Sequence, residues 1–142
     1  MVKQISVFMQ NEIGRLAEAT QAISESGVNI RALVVADTET YGVLRFISDN
    51  TDKAATALKA AGFTLKITDV VAVEMPDAPG GLSKVLLILK DNGINIGYLY
   101  AFFRKSHDNA VVIIRVEDPA AASAALQKAG VKTLASEEVC SF

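Results

Sequence analysis

The chain repeats itself. Asn11-Glu12-Ile13-Gly14-Arg15-Leu16 lies 66 positions before Asp77-Ala78-Pro79-Gly80-Gly81-Leu82, and Gly27-Val28-Asn29-Ile30 lies the same 66 before Gly93-Ile94-Asn95-Ile96. Further on, Leu58 and Ala61-Gly62 match Leu126 and Ala129-Gly130 at a separation of 68. Two residues are therefore added in the second half. The polar stretch Arg104-Lys105-Ser106-His107-Asp108-Asn109 is the expected place, because insertions settle in exposed loops. A duplication of this length reads as two small domains, 1–68 and 69–142, not one. The 13 residues Phe63–Met75 between them are mostly apolar or β-branched and contain no flexible spacer. The halves are expected to dock as a pseudo-symmetric pair.

Each half gives the same element order. Val2–Met9 alternates as a strand does. Leu16, Ala19 and Ile23, and their equivalents Leu82, Val85, Leu86 and Leu89, share one helical face, and each helix stops at a glycine, Gly27 or Gly93. Strands over 30–36 and 42–48 match strands over 96–103 and 110–116. A second helix follows in each half, the later one opening on Asp118-Pro119, a cap residue and a first-turn proline. A last strand closes each half. The expected fold is α+β: βαββαβ twice, the ferredoxin-like pattern, with helices on one face of the sheets.

Charge and rare residues narrow the chemistry. Fourteen Lys and Arg against 16 Asp and Glu leave a formal net charge of −2, which supplies no phosphate-neutralising surface, so no nucleic acid is expected. The aromatic residues of the first and third strands, Phe8 and Phe46, lack the basic surroundings of an RNA reader. One cysteine, Cys140, and one histidine, His107, build neither a disulfide nor a Cys/His metal centre, so no cofactor or metal is expected and the context reads as cytoplasmic. No segment reads as a secretory or membrane-spanning stretch. His107 reads as a solvated loop residue, Cys140 as a thiol in the C-terminal tail, and Glu137-Glu138 as surface. No nucleophile elbow is present, and an enzyme is not expected.

The informative residues lie between the first strand and first helix of each half. In Asn11-Glu12-Ile13-Gly14 and Asp77-Ala78-Pro79-Gly80-Gly81, a glycine opening a helix lets a ligand approach free backbone N–H groups, and the helix dipole there favours an anion such as a carboxylate. Asn11 and Asp77 offer side-chain oxygens to an ammonium group. Together these suit a free amino acid. Turn geometry alone also accounts for the glycines, and Asn29 and Asn95 also suit the backbone conformation that follows a helix-ending glycine.

Both halves resemble ACT domains, the small regulatory modules of amino-acid metabolism. The resemblance rests on the turn, on Gly-(Val/Ile)-Asn-Ile thirteen residues after its glycine, and on the repetition of both. It implies an effector amino acid bound where one domain's turn meets the other's second strand. One position would then join Asn11, Glu12, Ile13, Gly14, Arg15 and Leu16 with Asn95. The other would join Asp77, Ala78, Pro79, Gly80, Gly81 and Leu82 with Asn29. Tyr98 and Tyr100 beside Asn95 face Ala32 and Val34 beside Asn29 in the alignment, so the positions are expected to differ in size and polarity. Where some serine-binding members carry a histidine, this chain has Met9 and Met75, so serine selectivity does not carry over. Leu99, Ala101 and Phe103 make both faces of their strand apolar, from which a homodimer is expected. Output would pass through assembly or a partner enzyme. The alternative reading is a regulatory subunit docking on an amino-acid biosynthetic enzyme, similar to the small subunit of acetolactate synthase.

Overall fold

The structure, a computed structural model, describes residues 1–103 and 108–141. The elements run β1 (Val2–Gln10), α1 (Arg15–Glu25), β2 (Ile30–Asp37), β3 (Tyr41–Ser48), α2 (Thr51–Ala60), β4 (Thr64–Pro76), α3 (Gly81–Asp91), β5 (Ile96–Phe103), β6 (Asn109–Val116), α4 (Pro119–Lys128), β7 (Thr133–Leu134) and α5 (Ser136–Cys140). The chain divides into a first unit, Lys3–Thr68, and a second, Met1–Val2 with Asp69–Phe142. The division falls inside β4, whose 13 residues end one βαββαβ series and begin the next.

In the first unit β3 lies between β2 and β1, antiparallel to both. The register sets Ile5 opposite Phe46 and Val7 opposite Leu44. Strand alternation therefore puts these four side chains on one face, where Ala19 and Ile23 of α1 and Ala54 and Leu58 of α2 pack on them. The second unit has the order β7-β4-β6-β5, every pair antiparallel. Val71, Val73, Val112 and Ile114 form its helix-side face, covered by Val85 and Leu89 of α3 and Ala122 and Leu126 of α4. Each fully buried aliphatic side chain of this kind contributes about 1.5–3 kcal/mol of transfer free energy. The two cores thus use equivalent positions of the repeat.

Local signals terminate the elements as their residues dictate. Asn50 and Asp118 cap α2 and α4, their side-chain oxygens accepting from the N–H of Lys53 and Ala121, each at 3.1 Å. Gly27 and Gly93 follow α1 and α3 in the left-handed region, at φ 78° and 68°. Four residues separate the paired Asp37 and Gly42, whereas six separate the paired Phe103 and Ala110, so strand register puts the two added residues in that hairpin. Arg104, Lys105, Ser106 and His107 themselves lie outside the described residues.

The C-terminal end departs from expectation. The closing strand β7 has only two residues, and α5 follows where a tail was expected. The Glu138 carboxylate accepts from the Ala135 N–H at 3.2 Å, which fixes the first turn of α5, and Val139 is buried. Glu138 is half-buried and lies 3.6 Å from Lys132, so it is not simply surface, and Cys140 ends a helix. Among the described residues, no helix is long and apolar enough to cross a membrane.

Candidate functional site

Both turns are built by the same hydrogen bonds. Leaving β1, Asn11 donates its N–H to the Thr40 carbonyl at 3.1 Å, and Arg15 donates to the Glu12 carbonyl at 3.3 Å. Leaving β4, Asp77 donates to Asp108 and Gly81 to Ala78, each at 3.0 Å. Gly14 and Gly80 sit at φ 89° and 87°, a conformation that costs an L-residue about 1–2 kcal/mol, so glycine is required by the backbone whatever else it does. Asn11 to Gly14 and Asp77 to Gly80 are exposed, and Ile13 stands wholly in solvent, at 105% of its reference exposure.

Because each of these glycines is the N-cap of the helix it opens, α1 and α3 have no side-chain cap. The other two long helices, α2 and α4, do. The first-turn N–H groups of Leu16 and Ala17, and of Leu82 and Ser83, precede the first helical bond, Glu18 to Gly14 or Lys84 to Gly80. Uncapped N–H groups and the positive end of the helix dipole thus meet at an exposed turn in each unit. The residues after the glycines differ. Arg15 is committed to its own unit, with an ion pair to Glu18 at 2.6 Å and its guanidinium 4.4 Å above the Phe63 ring. At the equivalent Gly81, a Cβ would lie 2.4 Å from the Pro76 carbonyl oxygen, so only glycine fits.

Asn29 and Asn95 open β2 and β5. Among the described residues no non-glycine has a positive φ, so the left-handed conformation does not explain either asparagine. β1 and β2 are both antiparallel to β3, and hence run parallel to each other. The turn follows the end of β1 while Asn29 precedes the start of β2, so the two lie at opposite ends of the first unit's sheet, about 20 Å apart along the strands. The same holds for Asp77 and Asn95 in the second unit. Neither unit brings its own turn to its own asparagine.

Past each asparagine the ladder is irregular at the same repeat position, with Arg31 between Ile30 and Ala32 and Gly97 between Ile96 and Tyr98. Beyond the bulge, Tyr98 faces Arg115 across the β5–β6 ladder, where the first unit sets Ala32 against Ile47. The next pair on that face is Tyr100 with Ile113. Tyr100 is buried and Tyr98 half-buried. An open cleft of about 830 Å³ is lined by Asn95, Gly97, Tyr98, Arg115 and Glu117, among others. Arg115 and Glu117 were not singled out by the sequence, because only the bulged register reveals which β6 residue stands beside Tyr98. The repeat offset of 68, which aligns Ile47 with Arg115, is the signal that points to it.

The chain matches the family model described as an ACT domain pair over residues 1–141, and it belongs to that family. It is similar to the crystal structure of protein BT0572 from Bacteroides thetaiotaomicron, with 36% identity, TM-score 0.93, and 99% of this chain and 96% of that one covered. Its fold is also that of the regulatory subunit of aspartate kinase from Thermus thermophilus, at 21% identity and TM-score 0.63, covering 89% and 91% of the two chains. The corresponding subunit from Thermus flavus gives 18% identity and TM-score 0.62, with 90% and 92% covered. No curated protein sequence matches the chain significantly.

Proposed function

We propose that this ACT domain pair is a regulatory protein, without catalytic activity of its own, that binds a free amino acid and passes its occupancy to its own assembly or to a partner enzyme. The observation that carries the reading is the repeated, exposed, glycine-capped helix start. α1 and α3 leave their first N–H groups without a side-chain cap, while α2 and α4 do not. A carboxylate complements those N–H groups, and Asn11 or Asp77 complements an ammonium group. Each unit's own asparagine lies at the far end of its sheet and adds nothing to the turn of that unit. Occupancy changes assembly or enzyme activity only through differential affinity for two states. Thermal denaturation with each proteinogenic amino acid at millimolar concentration tests the reading. A rise in melting temperature with one or a few is expected, and no rise with any removes the proposal.

A second reading, a subunit docked on an amino-acid biosynthetic enzyme, is favoured by the fold shared with aspartate kinase regulatory subunits over nine-tenths of their length. Affinity capture from the native cell that returns such an enzyme, in an amount altered by the bound amino acid, supports this reading over a free-standing sensor.

A further inference from the structure

We infer that α5 is a clamp, present in the second repeat only, that holds the start of β1 and opens without unfolding the rest of the chain. It does not depend on the amino-acid reading. Met1 and Val2 belong to the second unit and Lys3 to the first, so β1 begins in one unit and continues in the other. Val2 is buried. The hydroxyl of Ser136, the first residue of α5, donates to the Met1 carbonyl at 3.2 Å. Met1 also lines a cavity of about 260 Å³ together with Val70 and Ala72 of β4, Leu134 of β7, and Ala135 and Glu138 at the first turn of α5. From the other side α5 is held by Lys132, whose Nζ stands 3.5 Å from Glu74 Oε2 and 3.6 Å from Glu138 Oε2. The Glu74 N–H donates to the Lys132 carbonyl at 2.9 Å, which fixes the lysine on β4. The Glu74 side chain is only 10% exposed, so its ion pair is far less screened by water than a surface one.

The first repeat has no such device. By the repeat offsets, Phe8, Thr64 and Val70 stand where the second half has Glu74, Lys132 and Glu138, so no ionic bridge forms there. At the position equivalent to α5 the chain continues as the strand β4. The clamp's own holding points are few. β7 pairs with β4 through two residue pairs, Ala72 with Leu134 and Val73 with Thr133. Five residues are too short for a helix to persist without its packing, and the one side chain that α5 buries is Val139. Neither Leu134 nor Val139 is part of the helix-side core of the second unit. A segment with so few buried contacts opens at a lower free energy than the cores do. Output through assembly or a partner requires a second state of the molecule, and the clamp supplies one while both cores stay intact.

Native-state hydrogen exchange of the full chain, read by mass spectrometry on the wild type, Ser136→Ala and Glu138→Ala, tests this. Glu138→Ala removes the acceptor of the Ala135 N–H and the partner of Lys132 together. It is expected to speed exchange in both Ser136–Cys140 and Val2–Gln4 by roughly 5-fold or more, as loss of a hydrogen bond and an ion pair produces. Ser136→Ala, which removes only the bond to Met1, is expected to speed Val2–Gln4 by roughly 5-fold. Exchange in Ala54–Leu58 of α2 and Val112–Ile114 of β6 is expected to stay at the wild-type rate in both variants. Ser136→Ala decides the matter even where Glu138→Ala fails to fold. Unchanged exchange in Val2–Gln4 in either folded variant shows that α5 does not hold β1, and overturns the inference. Acceleration of all four segments together shows that α5 opens only with the whole chain, and overturns it equally.

Discussion

Asn29 and Asp49 hold each other through two hydrogen bonds: the Asn29 N–H donates to Asp49 Oδ1 at 3.0 Å, and the Asp49 N–H donates to the Asn29 carbonyl at 3.1 Å. The pair ties the start of β2 to the end of β3, next to the bulge at Arg31. Asp49→Ala removes one bond of the two and is expected to cost about 1 kcal/mol, with Asp49→Asn, which keeps an acceptor oxygen, costing less. Urea denaturation of the two variants checks the order. Equal losses would mean that the carboxylate contact contributes nothing to the tie.

The two capped helices give a matched pair of substitutions. Asn50→Ala and Asp118→Ala each leave the N–H of the third helical residue without its partner, and each is expected to destabilise by about 1 kcal/mol. The sites are repeat equivalents with the same 3.1 Å geometry, so the two losses should agree closely. A shift in denaturation midpoint for one variant but not the other contradicts the structural equivalence of the repeats.

Helix faces were legible in the sequence because Ala19 and Ile23, or Val85 and Leu89, recur at helical spacing, and a 66-residue offset shows the pattern twice. The Asp118-Pro119 start of α4 was equally plain, since a cap oxygen and a residue lacking an N–H both belong at that place. The helix α5 was not. Five residues are too few to show a period, and its fixing contact depends on Glu138 turning back to Ala135. Of the site, the turns were legible as glycine-bearing strand–helix junctions. The neighbours of Asn95 were not, because one extra residue at Gly97 sets which β6 side chain faces Tyr98, and single-residue bulges leave no trace in hydrophobic alternation.

Gly80 and Gly81 are adjacent and irreplaceable for different reasons, which substitution separates. At Gly80 the backbone is left-handed and nothing lies within 4 Å of where a Cβ would stand, so Gly80→Ala is expected to cost about 1–2 kcal/mol through strain alone. Gly80→Asn recovers part of that, since asparagine tolerates the conformation. At Gly81 the obstacle is the Pro76 carbonyl oxygen at 2.4 Å, so Gly81→Ala must move the end of β4 or the start of α3, at about 1–3 kcal/mol. Asparagine gives no relief there and is expected to be worse than alanine. Chemical denaturation of the four variants reads both orders, and rescue of position 81 by asparagine would show that conformation, not space, limits it.

Assembly is expected to involve the edge strands. Tyr100, Val111 and Ile113 are buried within a single chain, so the face they share needs no second copy to cover it. The exposed apolar side chains lie elsewhere: Leu33 and Val35 on β2 are 52% and 45% exposed, and Phe103 on β5 is 69% exposed. Both strands end the strand order, where unpaired backbone groups beside apolar side chains favour pairing with another strand. We therefore expect a homodimer in which at least one of these edges is covered. A lysine on such an edge opposes pairing while leaving the fold intact, since substitutions at exposed sites usually change stability by no more than about 0.5 kcal/mol. Sedimentation velocity should show Leu33→Lys with Val35→Lys, or Phe103→Lys, shifting dimer to monomer at unchanged melting temperature measured below the dimer's dissociation constant. A wild-type chain that sediments as a strict monomer at micromolar concentration, with and without amino acid, rules this assembly out and leaves a partner enzyme as the outlet for the signal.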